Sequence, residues 1–309
     1  MKVKLPLNQH LGLLSKPVVR SGDLVNRGEL VAEENKLGVN IHATVSGTVE
    51  KVTRNAITIK ADKYQSTDYQ KIANKDKLTM IKEAGIVDYE GLPSYLKYRS
   101  DKNAKIFLID CTDSSYLFHD LKLLQRDYKK IIKGIKHLKE ISGFKQVHIL
   151  FKESLLASQS WLKERLTNES ELELKLLTDD TINYQAQQSL NDEQVIIEKL
   201  EVIKKVTEAI EKQKPYISKN ITLQIITERQ NFNRSFFELP LGVFVKNFSG
   251  IKGLNDYRDL ITTYDFKTST LITKTSHKIK INLKKKKLSQ DDIIENGYIR
   301  RLNSLVQKH

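Results

Sequence analysis

A single cysteine, Cys111, stands in 309 residues. A structural disulfide needs two thiols, and a cysteine-ligated iron-sulfur cluster or zinc site needs several, so this chain by itself can hold none of them. Its seven histidines show no HxxxH or HxH spacing, which disfavours a metal site and leaves scattered surface or core imidazoles as the expectation. No apolar run approaches the roughly 20 residues of a membrane span. The first ten residues, MKVKLPLNQH, lack the apolar segment and small-residue cleavage site of a secretory signal, so a cytoplasmic protein is expected. Heptads, solenoid-period repeats and long low-complexity tracts are absent as well.

What is present is a soluble-type composition, 39% hydrophobic and 29% charged, too apolar for a disordered chain and long enough for two or three domains. The formal net charge of +14 favours an anionic partner. The one dense basic cluster, Lys284 to Lys287, reads as a solvated tail, so nucleic acid is not expected and an acidic protein surface is.

Residues 1–62 break into short segments bounded by Gly, Asn or Asp: PVVR, ELVAEE, NIHATV, GTVEKV and AITIK. Two similar halves, SGDLVNRGELVAEE and HATVSGTVEKVTRNAITI, predict two short sheets closing on a small core. Residues 63–103 form a polar connector with a helix at TMIKEAGI, stopping near Gly85. AKIFLID, the amphipathic LKLLQRDYKKIIKGIKHLKEIS and KQVHILFK then spell a βαβ unit. A helix around SLLASQSWLKERL, a strand ELELKLL and a long helix over NDEQVIIEKLEVIKKVTEAIEKQ extend it into a mostly parallel sheet. From Pro215 the pattern returns to strands, ITLQIITER, SFFELP and LGVFVKNF, with a short helix near LNDYRDLI and further strand in STLITKTSHKIKINL. The last stretch, 284–309, is a basic tail with helical spacing at Ile293, Ile294, Ile299 and Leu302.

The segments LPLNQHLG, PVVRSGDLVNRGELVAEE and KLGVNIHATVSGTVEKV resemble the amino-terminal barrel-sandwich domain of the RnfC family, the C subunit of the Rnf electron-transport complex. Its relatives include the cobalamin reductase of propanediol microcompartments and the electron-transfer protein associated with proline reductase. The resemblance continues into IKEAGIVDYEGLPSYLK, against the family loop AGIVGxGGAGFPxxxK, and into IFLIDCTDSSYL, against NxxECEPY. It implies three units: a barrel-sandwich hybrid over 1–62, a Rossmann-like α/β domain with its connector over 63–214, and a β-grasp domain of the SLBB type over 215–283. It also implies FMN and a nicotinamide nucleotide on the central domain, with electrons passed to iron-sulfur clusters farther along the family's chain. The residues matching the flavin positions are Gly85, Gly91 and Lys97 around phosphate, with Asp110 and Asp113 near the polar edge.

Departures from the family pattern shape the functional expectation. Asp88, Tyr89 and Glu90 replace glycines of the phosphate loop, where side chains block the approach of main-chain amides and carboxylates repel phosphate. Asp110 stands for the family Asn, Asp113 for the first Glu and Ser115 for the second. No cofactor is therefore the leading expectation, and the chain is read as a docking or structural subunit beside redox enzyme or electron-transfer partners, reaching a membrane only through them. The alternative is an NADH-linked flavin subunit that retains FMN. A second alternative is a biotinyl or lipoyl carrier modified on Lys36, which lies at carrier spacing before Ile41. Cys111 reads as a half-buried structural thiol, Trp161 as a packing residue, and the pairs Asp179–Asp180 and Asp291–Asp292 as caps.

Overall fold

The computed structural model describes residues 1–99, 105–113, 116–157, 159–177, 195–226, 232–244, 264–265, 271–276, 278–282 and 284–285. In β1 (Lys2–Pro6) lysines and apolar residues alternate, and the period of two buries Val3 and Leu5 while Lys2 and Lys4 face water. β1 pairs antiparallel with β7 (Ala56–Ala61), which pairs with β6 (Gly47–Val52), which pairs with β3 (Leu24–Val25). A second sheet joins β2 (Lys16–Pro17), β4 (Leu30–Glu33) and β5 (Ile41–His42). The two small sheets are those the paired halves predict. The expected strand PVVR is reduced to Pro17, because Val18 donates to the Val31 carbonyl outside the ladder. Lys36 lies in the connection between β4 and β5 at φ +55°, close to Gly38, whose open side faces His10.

The central sheet is wholly parallel: β8 (Ile106–Asp110), β9 (Gln146–Lys152), β10 (Glu173–Leu177) and β11 (Val195–Glu198) lie in the order β10-β9-β8-β11. The chain steps outward twice from β8 and then returns to its other side, so the strand order reverses between β8 and β11. Helix α1 (Lys77–Glu83) starts at Asp76, whose carboxylate accepts the Thr79 amide at 2.9 Å, and α2 (Ser94–Lys97) follows. α3 (Leu117–Ser142) ends at Gly143, φ +69°. α4 (Glu153–Leu156) and α5 (Ser160–Thr167) link β9 to β10, and α6 (Leu200–Lys212) follows β11. Phe107 and Phe144 stack at 4.8 Å in the core, worth about 1 kcal/mol beyond their burial.

Three expectations need correction here. The single helix expected around SLLASQSWLKERL is two, α4 and α5. The long helix expected from Asn191 begins only at Leu200, because Val195–Glu198 is the fourth parallel strand. A short apolar run rich in β-branched side chains has no periodicity to separate strand from buried helix, and pairing with β8 decides it. Trp161 is 36% exposed on α5 rather than packed, with its indole donating to Gln159.

The third unit pairs β12 (Ser218–Ile226) antiparallel with β13 (Phe232–Pro240) and parallel with β15 (Lys278–Asn282). β14 (Tyr264–Asp265) pairs with β16 (Lys284–Lys285). The expected helix LNDYRDLI, the caps Asp179–Asp180 and Asp291–Asp292, and the tail beyond Lys285 lie outside the described residues. α6 is buried between α3 and this sheet, so its charged side chains pair inside the protein. Lys205 Nζ lies 3.0 Å from Glu208 and 3.1 Å from Glu238, and Lys204 Nζ 3.3 Å from Glu238. The barrel docks against the same unit: the Thr44 hydroxyl donates to Leu241 O at 2.7 Å, and the Lys4 amide to Gly242 O at 2.8 Å.

α3 approaches α6 at Gly134, where an added Cβ would sit 2.6 Å from the Ile203 carbonyl and 2.5 Å from the Thr207 hydroxyl. Gly134→Ala is expected to lower unfolding stability by about 1–3 kcal/mol in urea titrations. The exposed Lys129→Ala on the same helix should change it by less than about 0.5 kcal/mol.

Candidate functional site

Ligands of open α/β sheets bind outside the carboxyl ends of the strands where the strand order reverses. In this chain that point lies between Asp110, ending β8, and Glu198, ending β11. A cleft lies there, lined by Tyr89, Tyr116, His119, Asp120, Lys199 and Glu201, with Val202, Lys219 and Thr275 completing it. Its free space is about 20 Å³, room for a single water.

Lys199 is the central charge. Its Nζ donates to the Asp110 carboxylate at 2.7 Å and the Asp110 carbonyl at 2.9 Å, and lies 5.1 Å and 5.6 Å from the ring centres of Tyr116 and Tyr89. Burial pushes the Asp110 carboxyl up, but Lys199 and the Thr112 amide and hydroxyl outweigh it and hold it below its ordinary value. Lys199 is in turn held above its usual range by Asp110 against its own burial. Asp120, in the first turn of α3, has no such partner. Burial raises its carboxyl to about 8, Lys199 opposing only in part, and Oδ2 makes no hydrogen bond. Burial, with Asp120 beside it, pushes the Cys111 thiol well up; this cysteine is fully buried rather than half-buried, a setting that disfavours the thiolate. Glu201, in the first turn of α6, accepts from the Asn220 amide at 3.1 Å and its side chain at 2.6 Å. Burial favours its neutral form, but His119, Lys205 and Lys204 hold it well below the carboxylate range.

The loop matched to the family's phosphate cradle borders this cleft, and its amides face inward. Asp88 is buried, and its Oδ1 accepts the amides of Glu90 at 2.9 Å and Leu92 at 2.8 Å. The Asp88 amide donates to Leu92 O and the Gly91 amide to Asp88 O. The second carboxylate oxygen takes Lys97 Nζ at 3.1 Å. Lys97 also donates to Ile197 O at 2.6 Å and to the Glu198 carboxylate, whose other oxygen accepts the Tyr98 hydroxyl at 2.7 Å. Burial opposes the Lys97 charge, but Glu198 and Asp88 raise it above the ordinary lysine value.

Among the residues proposed from sequence, Lys97 therefore sits in an internal ion cluster rather than at an open phosphate position. Gly91 lies on the barrel side, its carbonyl accepting the Leu11 amide at 2.7 Å. Gly85, at φ +72°, is required by the barrel: a Cβ there would stand 2.2 Å from Asn40 O. Asp110 is at the cleft through Lys199, while Asp113 is exposed and turns the chain by accepting the Tyr116 amide. Sequence reasoning missed Lys199, Asp120, Glu198, Lys219 and Thr275. The misread boundary of α6 concealed Glu198 and Lys199, and nothing local marks the others. In this arrangement the amides of Asp88, Glu90, Gly91 and Leu92 and the Lys97 ammonium are all engaged within the protein, and among the described residues the cleft holds space for one water, so those groups do not fit a flavin phosphate as they stand.

A barrel-sandwich module followed by a doubly wound domain with a cleft at its switch point defines a nucleotide- or flavin-domain architecture. The chain belongs to the family of the Nuo51 FMN-binding domain, whose model matches residues 81–250, and residues 1–68 match the RnfC barrel sandwich hybrid domain; it is an RnfC-like chain. Similar proteins include the C subunit of the proton-translocating ferredoxin:NAD(+) oxidoreductase complex of Clostridium ljungdahlii, 27% identical over 171 residues, covering 48% of this chain and 37% of that protein. The C subunit of an ion-translocating oxidoreductase complex of Rhodobacter capsulatus is 29% identical over 48% of this chain and 33% of its own length. Its counterpart in the Na(+)-translocating ferredoxin:NAD(+) oxidoreductase complex of Acetobacterium woodii is 25% identical over 56% and 44%. The chain thus spans less than half the length of these curated relatives. Among solved structures, the NAD+-reducing [NiFe]-hydrogenase in the air-oxidized state is similar at 13% identity and a TM-score of 0.45, over 69% of this chain and 47% of that one, too loose a likeness to bear on the site.

Asp120 gives a testable pH dependence. Between its unfolded value of 3.8 and its folded value of about 8, the unfolded chain ionises while the folded carboxyl keeps its proton, so stability falls as pH rises through that window. Relative to Asp120→Asn, the wild type is expected to lose on the order of 1 kcal/mol per pH unit between pH 4 and 8, read from urea unfolding of both proteins. Asp88→Ala, which strands two amides and half the counter-charge of Lys97, is expected to cost about 3 kcal/mol or more by the same measurement, and Asp88→Asn less.

Proposed function

We propose that this chain is an RnfC-type electron-transport subunit that works within an assembly of other electron-transfer subunits. The observation that carries this is the joint match of two modules in the same order, barrel-sandwich then flavin domain, to proteins named as subunits of ion-translocating oxidoreductase complexes. The unit boundaries at 62, 214 and 283, and an SLBB-type β-grasp identity for 215–283, belong to the same proposal. The barrel is a rigid platform in it: Gly85, Gly91 and Lys274 all contact barrel residues.

Two observations bear on the cofactor. The match over more than half the chain to a domain named for FMN binding favours a flavin at the switch-point cleft over a purely structural role. The capture of the loop amides by Asp88 favours the second reading, a docking subunit whose electrons pass through its partners. No described helix is long and apolar enough to cross a membrane, and contact with one is assigned to the partners. Their surfaces would be acidic, opposite to this chain's +14.

Tagged protein drawn from its native extract is expected to co-elute with other subunits of one ion-translocating oxidoreductase; elution alone at native concentration would reject the assembly role. Flavin-band absorbance of that material, and quenching of FMN fluorescence on titration, decide the cofactor: a stoichiometric flavin supports the first reading, and colourless protein that leaves FMN fluorescence unchanged supports the second. The intact mass reports in the same sample on the carrier alternative, which requires added mass on Lys36.

A further inference from the structure

Residues 271–276 run from the third unit to the mouth of the cleft. The Gly242 amide donates to Ile272 O at 2.7 Å and the Ile272 amide to Val243 O at 3.0 Å, which hold the near end. Thr275 lines the cleft, its methyl 3.6 Å from where a Cβ on Gly91 would lie. Between them Lys274, 1% exposed, is the fastening. Its Nζ donates to Asn40 O of the barrel at 3.1 Å and to Gly85 O at 2.5 Å, while its amide donates to the Gln9 side chain at 3.3 Å. Its carbonyl accepts the Tyr216 hydroxyl at 3.3 Å and the Lys219 ammonium.

No carboxylate pairs with the Lys274 ammonium among the described contacts. His10 faces it from the barrel loop, His42 from β5, the Tyr216 ring from 5.7 Å, and Lys219 from β12. Glu201 and Asp88 act on Lys219. The groups that share the enclosure among the described contacts are thus neutral dipoles, two imidazoles and a second lysine. Burial pushes Lys274 down to about 7 and Lys219 to about 8; it drives His42 to about 3 and His10 below its usual value, with Lys274 adding to both. With no carboxylate to answer it, the buried amine gains its charge and the hydration of that charge only by moving out to water.

We propose that residues 271–276 are a strap closing the switch-point cleft, fastened by the Lys274 side chain, and that the cleft widens for a ligand when this side chain withdraws into solvent. The strap accounts for a ligand-type position that holds space for one water. Its purpose rests on reading the cleft as a ligand site, but the closure is measured on ligand-free protein, so a failed flavin titration and a rigid strap are separate results.

The sign of the pH effect follows from linkage. Fastened, Lys274 titrates near 7; released, it titrates at its ordinary 10.5. Between those values opening takes up a proton, so the opening constant rises about tenfold for each unit by which pH falls, and below 7 Lys274 adds no further slope. The test is amide hydrogen exchange on the full chain from pH 9 to 7, corrected for intrinsic chemistry, following Ile272 and Lys274 against Ile149 in β9. Strap amides should exchange faster than Ile149, with protection falling about tenfold per unit toward pH 7. Lys274→Met should flatten that slope and raise strap protection at pH 7, while Lys219→Met should keep it. Strap amides that exchange at the Ile149 rate throughout would overturn the proposal, as would a slope that survives Lys274→Met or vanishes only in Lys219→Met. If Lys274→Met fails to fold, the wild-type comparison with Ile149 and the Lys219→Met slope still decide.

Discussion

A lysine enclosed away from water must be answered by oxygen atoms, and the answer given to Lys97 organises the functional end of this molecule. Its ammonium is shared by Asp88, Glu198 and the Ile197 carbonyl. That sharing ties the 88–92 loop to the end of β11 and commits the Asp88 carboxylate to the interior. Once inside, the same carboxylate becomes the acceptor for the loop's own amides. The loop matched to the family's phosphate cradle thereby folds around its own carboxylate, and the neighbouring cleft is left to Lys199, Asp110 and two tyrosine rings.

The helix starts bordering the cleft follow the same logic. α3 and α6 both aim their amino ends at the switch point, where partial positive charge would favour a bound anion. Each carries a carboxyl group of its own there. Glu201 is ionised and fully bonded to Asn220, whereas Asp120 is kept protonated because nothing bonded to it offsets its burial. Two similar residues in equivalent places thus hold opposite charge states, and the difference lies in His119, Lys204 and Lys205, which act on Glu201. The barrel contributes from the other side, setting Gly85 and Gly91 against Asn40 and Leu11 and receiving Lys274.

Much of the fold was legible because it rests on short-range patterns. Alternation in AITIK, and the apolar run in IFLID, are signals that burial preserves, whereas the strand KVKLP was not read from the sequence. The amphipathic helix ending at Gly143 is another. The boundary at Val195–Glu198 was not legible, since so short an apolar run fits either strand or helix until a neighbouring strand claims it. Trp161 was misjudged for a related reason: a helical position says nothing about which face the rest of the protein covers. At the site, the replacement of glycines by Asp88, Tyr89 and Glu90 pointed to an altered phosphate loop, but as a steric and repulsive change. The inward turn of Asp88 was invisible, because the lysine that draws it in is itself placed by Glu198, 101 residues farther along the chain.

The sequence by itself determined the module order, the parallel sheet, the single thiol and the family kinship, because each depends on residue type and spacing along the chain. Tertiary structure alone decided the direction of the Asp88 carboxylate, the pairing of Lys199 with Asp110, the proton on Asp120 and the isolation of Lys274. Those depend on which charges meet and how much water is removed around them, and both are set only when distant segments pack together.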